Sequence, residues 1–350
     1  MERGGTQRRP PIINRGTFAR VTAMRMLIRR FLELAPRGEG EGASRQVLVL
    51  GAGFDTAAFQ LQREGALAGS AYFELDFPDI VREKSRIVRE QRLLCGSLCG
   101  PAAGGEPLDG RIEACPETGE LTVQASADSG RYCLRAVDLR QLECVRETLM
   151  QAGFDTALPT LVVAECVLIY MEAQHSDALI EWVGSSLPRA AFLVYEQIRP
   201  HDPFGRMMVG NIAARGCPLR SIGALLACPA SASGPHRAAL RAAQYPDLED
   251  VCGRFRSRGW DWAVAQDMDA VYRHVLDADE KARTERLEMF DEFEEWHMLM
   301  QHYCLLYACT DGASDAPDGQ TAGDPPAARG SWLRDVALAV AQTEQSGRVG

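Results

Sequence analysis

Apolar and polar residues follow two different periods along this chain, and the switches between them mark out a repeated strand–helix unit. From Phe18 through Val21, Met24, Ile28, Phe31 and Leu32 the apolar positions recur at three- and four-residue steps, which predicts an amphipathic helix lying on a core. Before it, Met1 to Pro11 is basic and proline-rich and is expected to be irregular, with Asn14 as a candidate cap. Short apolar runs follow at Val47 to Leu50, Ala71 to Leu75, Tyr132 to Val137, Thr160 to Ala164 and Ala191 to Tyr195. Their nearly continuous hydrophobicity is that of parallel strands covered on both faces. Helical stretches separate them: one beginning at Ala57, then Ile80 to Leu94, Leu142 to Ala152 and Ala173 to Ser186. After a loop and helix over His201 to Asn211, two more apolar strands, Trp260 to Ala265 and Tyr303 to Ala308, flank an acidic helical stretch from Asp277 to Gln301.

Gly96 to Gly130 is rich in glycine, proline and small polar residues and reads as a mobile insertion loop, as does the stretch from Ile222 to Gln244. One domain is therefore expected over residues 12–310, followed by a disordered tail over 311–350 with one short helical pattern from Trp332 to Val340.

The strand ends carry the chemistry. Val47 to Leu50 runs into Gly51 and Gly53, which allow a tight turn and close approach of a ligand to the backbone, and Asp55 or Thr56 can cap the helix that Ala57 begins. A dinucleotide-binding turn needs a third glycine three residues after the second, and that position is Thr56. A cofactor without a pyrophosphate fits better, and S-adenosyl-L-methionine (SAM) is the common one on such a fold. The second strand ends at Asp76, 25 residues after Gly51, close to the spacing at which an acid meets ribose hydroxyls. The third ends at Asp138 and Leu139, the fourth at Glu165. An unpaired carboxylate after a buried strand is costly, so Glu165 must reach solvent, a ligand or a protein partner. In a parallel sheet these residues collect at one edge, where ligands bind.

Composition narrows the function. With 350 residues and 46% hydrophobic side chains the chain can bury a large core, and its formal net charge of −10 disfavours a nucleic-acid binder, which needs a basic face. Eleven cysteines are scattered without paired CxxC spacing, which suggests a reducing compartment; Cys95 and Cys99 have no second pair to complete a zinc site, and no metal is expected. Neither a signal core nor a membrane-length apolar run is present, so a soluble cytoplasmic monomer is expected.

With these positions in place, the sequence resembles the leucine carboxyl methyltransferase family. The blocks that carry the resemblance are INRGTFARV (Ile13 to Val21), VLVLGAGFDT (Val47 to Thr56), YFELDFPDIVREK (Tyr72 to Lys84), AVDLR (Ala136 to Arg140) and LPTLVVAECVLIYM (Leu158 to Met171). Later blocks are YEQI with DPFG (Tyr195 to Gly205), GCPL (Gly216 to Leu219), RGWDWAVAQDM (Arg258 to Met268) and FDEFEEWHMLMQHYCLLYA (Phe290 to Ala308). The resemblance implies a Rossmann-like class I SAM-dependent methyltransferase of α/β class, with a mostly parallel seven-stranded sheet and helices on both faces. It implies methyl transfer from SAM to the C-terminal leucine carboxylate of the protein phosphatase 2A catalytic subunit.

Carried onto matching positions, it implies that Arg20 holds the methionine carboxylate of SAM, a task suited to a guanidinium. Gly51 would supply the main-chain contact of the turn, Asp76 the ribose acid, Asp138 and Leu139 the adenine contacts, and Glu165 an acid on the methionine side. Tyr170 would line the methyl-transfer cleft, while His297 and His302 read as core or surface residues. Members of the family begin with a lysine- and serine-rich lid segment that has no counterpart before Ile13. A truncated sequence, loose cofactor binding and a non-catalytic phosphatase-binding relative all agree with that. Related methyltransferases of transfer-RNA modification, which carry a β-propeller extension, are the other functional alternative.

Overall fold

The computed structural model describes residues 9–35, 44–91, 94, 98, 112–124, 130–222, 245–310, 332–337 and 340–341. Its centre is a sheet of nine strands in the order β3-β4-β5-β2-β1-β6-β7-β9-β8. The strands are β1 (Arg45–Leu50), β2 (Ser70–Asp76), β3 (Ile112–Ala114), β4 (Leu121–Gln124), β5 (Arg131–Ala136), β6 (Thr160–Glu165), β7 (Ala190–Gln197), β8 (Trp262–Asp267) and β9 (Tyr303–Cys309). The five central strands β5, β2, β1, β6 and β7 pair in parallel, and β9 enters antiparallel between β7 and β8.

The expected seven-stranded sheet is the run from β5 to β8 of this one, a Rossmann-like arrangement. The correction lies at one edge. Within the segment whose composition predicts an insertion loop, Ile112–Ala114 and Leu121–Gln124 form a hairpin that pairs antiparallel with β5. Leu121 and Val123 are buried by that pairing, an alternation too short to stand out among glycines and prolines. Cys95, Cys99 and residues 223–244 lie outside the described residues.

Each central strand feeds two cores. Val47 and Val49 pack with the helix α1 (Pro11–Leu34), whereas Leu48 and Leu50 pack on the opposite face with Phe73, Leu75 and Val162. Successive strand residues point to opposite faces, so a sheet with both faces covered demands an unbroken apolar run.

Two terminal expectations are amended. The first helix begins at Pro11, whose fixed φ suits the first helical position, and Asn14 lies inside it with its Nδ2 donating to Glu288 at 3.0 Å rather than capping. In the tail the short helix expected from Trp332 is present as Trp332–Asp335, and it is packed rather than free: Trp332 meets Phe31 at 5.6 Å between ring centroids, and Leu333, Val336, Ala337 and Val340 are buried. An Arg30 side chain donates to the Asp335 carbonyl at 2.9 Å. The apolar face of this helix covers α1, a contact across some 300 residues of sequence. The acidic stretch before β9 is two helices, Ala278–Glu285 and Phe293–Gln301, and no helix among the described residues is long and apolar enough to cross a membrane.

Candidate active site

In the sheet, β1 lies between β2 and β6, and the chain leaves it toward β2 on one side while β6 leads toward β7 on the other. That reversal opens a crevice beyond the carboxyl ends of β1 and β6, the place where open α/β sheets bind ligands. Gly51 and Glu165 immediately follow or end these two strands, and Asp76 ends β2 beside them.

The glycine turn is shaped by its neighbours. Gly51 has φ +65°, and a Cβ there would sit 2.6 Å from the Val167 Cγ2, so both backbone conformation and space require glycine. Gly53 has φ +50°, and a Cβ there would meet nothing within 4 Å, so its free face looks into open space. The next helix, α2 (Ala57–Arg63), has Thr56 at its N-cap without the expected side-chain cap; Asp55 Oδ1 accepts instead from the Thr56 N–H at 2.7 Å and the Ala57 N–H at 3.3 Å.

Asp76 is only 8% exposed and its two oxygens are used separately. Oδ2 accepts from the Gly53 N–H at 2.6 Å, and Oδ1 accepts from the Phe77 N–H at 2.7 Å. It thus ties the end of β2 to the glycine turn while retaining acceptor lone pairs.

The crevice has two lobes that share Gly51. The larger, about 600 Å3, lies under α1 and is lined by Arg20, Arg25, Asp55, Tyr72 and Glu165 among others. Arg20 Nη1 lies 3.1 Å from Glu165 Oε1, while its Nε is buried without a partner. Burial pushes the Glu165 carboxyl upward, against the pull of Arg20. A guanidinium with an orphaned N–H, next to a carboxylate, suits a ligand carrying both a carboxylate and an ammonium.

The smaller lobe, about 280 Å3, is walled by Asp76, Phe77, Asp138, Leu139, Val167 and Tyr170, together with their neighbours. Phe77 is 50% exposed, an aromatic ring left uncovered at a cavity mouth. Asp138 is paired with Arg140 at 2.6 Å, and that hydrogen-bonded guanidinium pulls its carboxyl below the usual range. An apolar slot with an acceptor at its edge suits a flat heteroaromatic ring bearing an amine.

Tyr170 ends the turn Leu168–Tyr170 and lines both this lobe and an adjoining cavity of about 370 Å3 toward Gly216 and Arg220. Burial pushes its hydroxyl up to about 12, so it stays protonated. The turn is fastened from below by Glu196 on β7, a buried carboxylate that accepts from the Ile169 N–H at 2.8 Å. Burial pushes Glu196 up to about 7, although Arg254 and backbone N–H groups draw it down. Cys166, just after Glu165, holds φ 53° and donates its N–H to the Tyr195 carbonyl at 2.7 Å, completing the bend that sets Val167 on Gly51.

All seven residues singled out from the sequence thus line this two-lobed crevice. His297 and His302 do not: they contact Asp269 at 2.7 Å and Asp202 at 2.9 Å, respectively. Sequence reasoning missed Tyr72, Arg25, Val167 and Glu196. Tyr72 sits within a strand and reads as core, Glu196 reads as the end of the strand that begins at Ala191, and Arg25 reads as the polar face of a helix. Val167 follows the Glu165 motif closely enough to have been suspected.

The leucine carboxyl methyltransferase family pattern matches residues 2–184. The chain is 39% identical over 304 residues to the leucine carboxyl methyltransferase 1 homolog of Arabidopsis thaliana, covering 87% of this chain and 79% of that protein. It is 40% identical over 305 residues to the Homo sapiens tRNA wybutosine-synthesizing protein 4, again covering 87% of this chain but spanning only 39% of that protein. Among solved structures, PKMT2 from Rickettsia typhi in complex with AdoHcy is similar over 83% of this chain and 53% of that chain, with 11% sequence identity and a TM-score of 0.35. The family match covers the glycine turn, Asp76, Asp138 and Glu165 in one span, and on it this chain belongs to the leucine carboxyl methyltransferase family.

Proposed function

We propose that this chain binds S-adenosyl-L-methionine across the two lobes and transfers its methyl group to the α-carboxylate of the C-terminal leucine of the protein phosphatase 2A catalytic subunit. The observation that carries the cofactor reading is the pairing of lobes about Gly51: a charged one with Arg20 and Glu165, and an apolar one with Asp76, Asp138 and Leu139. Arg20 would hold the methionine carboxylate and Glu165 the ammonium; Asp76 would accept from ribose, and Asp138 and Leu139 would take the adenine. The cofactor supplies an electrophilic methyl on a sulfonium. The acceptor carboxylate, with an ordinary pKa of about 3.5, is ionised at neutral pH and needs no general base. What the protein must contribute is placement of the two reactants and exclusion of water. Tyr170 lines both the smaller lobe and the adjoining cavity, and would face the acceptor if it enters from that side.

The likeness to the Arabidopsis leucine carboxyl methyltransferase 1 homolog, which extends over most of that protein, supports a protein acceptor. A second reading, methyl transfer in transfer-RNA modification, is favoured by the 40% identity to the wybutosine-synthesizing protein. Incubating the chain with radiolabelled SAM and either the phosphatase catalytic subunit or transfer RNA separates the two. The first reading expects base-labile label on the intact subunit and none on a subunit lacking its final leucine. Label on transfer RNA alone would replace it with the second.

A further inference from the structure

The methionine-side lobe contains a donor that the residues assigned above leave unused. Tyr72, on β2, is fully buried, and its hydroxyl has no hydrogen-bond partner, although it belongs to the lining of the same cavity as Arg20 and Glu165. Its ring is fixed by stacking on Tyr132 at 6.4 Å between centroids. A neighbouring tyrosine shows how such a group is ordinarily settled: the Tyr132 hydroxyl donates to Glu74 at 2.6 Å. The same oxygen, Glu74 Oε2, pairs with Lys84 at 2.5 Å, and among the described residues Glu74 Oε1 accepts no hydrogen bond, from Tyr72 or any other donor. Leaving a hydroxyl buried and unpaired costs about 1–3 kcal/mol, so an orphan on a cavity wall marks where a ligand atom completes the set.

The ligand atom must be an acceptor. Burial, together with the negative field of Asp55, Glu74 and Glu165, holds the Tyr72 hydroxyl far above its ordinary pKa, so it keeps its proton. On the same cavity wall the buried Arg20 Nε also lacks a partner. Two unpartnered donors in one lobe, one of them cationic, match the two oxygens of a carboxylate.

We infer that Tyr72 donates its hydroxyl hydrogen to the α-carboxylate of the bound cofactor's methionine moiety, beside the Arg20 guanidinium. This rests on the SAM reading above and deepens it by adding a specificity-determining contact for the amino-acid end of the ligand. Tyr72 is a binding residue and takes no part in bond making.

The test compares two ligands on the full chain, wild type and Tyr72→Phe, by calorimetry: S-adenosylhomocysteine, which carries the carboxylate, and 5′-methylthioadenosine, which lacks it. Removing the hydroxyl should weaken S-adenosylhomocysteine roughly tenfold to a hundredfold, the range for one hydrogen bond to a charged group. It should leave 5′-methylthioadenosine affinity unchanged. The ligand-free melting midpoint should be unchanged or raised, because an unpaired buried hydroxyl has been removed. Unchanged S-adenosylhomocysteine affinity, or an equal loss for both ligands, overturns the role of Tyr72 while leaving the SAM reading standing. Failure of the wild-type chain to bind S-adenosylhomocysteine overturns both.

Discussion

The Asp76 carboxylate accepts the Gly53 N–H at 2.6 Å, joining the end of the second strand to the turn after the first. The acid expected from the sequence to meet a ribose therefore also fixes the backbone of the glycine turn. Asp76→Ala should weaken SAM binding at least tenfold, since each hydrogen bond to a charged group contributes about 1.5–3 kcal/mol. Calorimetry on the folded variant measures it, and unchanged affinity would remove Asp76 from the ribose site.

Gly51→Ala should reduce cofactor affinity through two separable effects. Its Cβ would collide with Val167, and φ +65° costs a non-glycine residue about 1–2 kcal/mol. Adding Val167→Ala relieves only the collision, so the double variant should recover part of the loss. No recovery would mean that Val167 does not set the spacing of the turn.

Arg20 and Glu165 are each about one-third exposed, so their ion pair contributes little to stability, within about 1 kcal/mol. Arg20→Lys should leave the melting midpoint nearly unchanged yet lower affinity for S-adenosylhomocysteine more than tenfold, because a lysine cannot present the planar fork to a carboxylate. A parallel loss of stability and affinity would point to a structural role instead.

Burial raises the Glu196 carboxyl from an ordinary 4.5 to about 7. Between these values the unfolded chain has released a proton that the native protein still holds, so stability falls as pH rises through that window, by up to about 3 kcal/mol. Glu196→Gln removes this titration. Its stability relative to wild type should therefore rise from about pH 5 to about pH 8 in urea unfolding. A difference that stays constant with pH would show that Glu196 titrates normally.

Sequence alone determined the crevice floor. Gly51, Asp76, Asp138 and Glu165 each follow a buried run, and both the run and the residue that ends it are local properties, set by two-sided burial and by the backbone freedom of glycine. The order and spacing of the motif blocks then placed Arg20, Leu139 and Tyr170. What tertiary structure decided were the contacts between distant segments: Val167 closing on Gly51, Glu196 fastening the turn that bears Tyr170, and Trp332 covering Phe31. Tyr72 belongs to this second group. Its position in a strand reads as core, and only the tertiary packing makes Tyr72 part of the wall of a cavity. A residue's period tells which face it occupies, but whether that face is filled by side chains or left open is settled only when the covering element is in place.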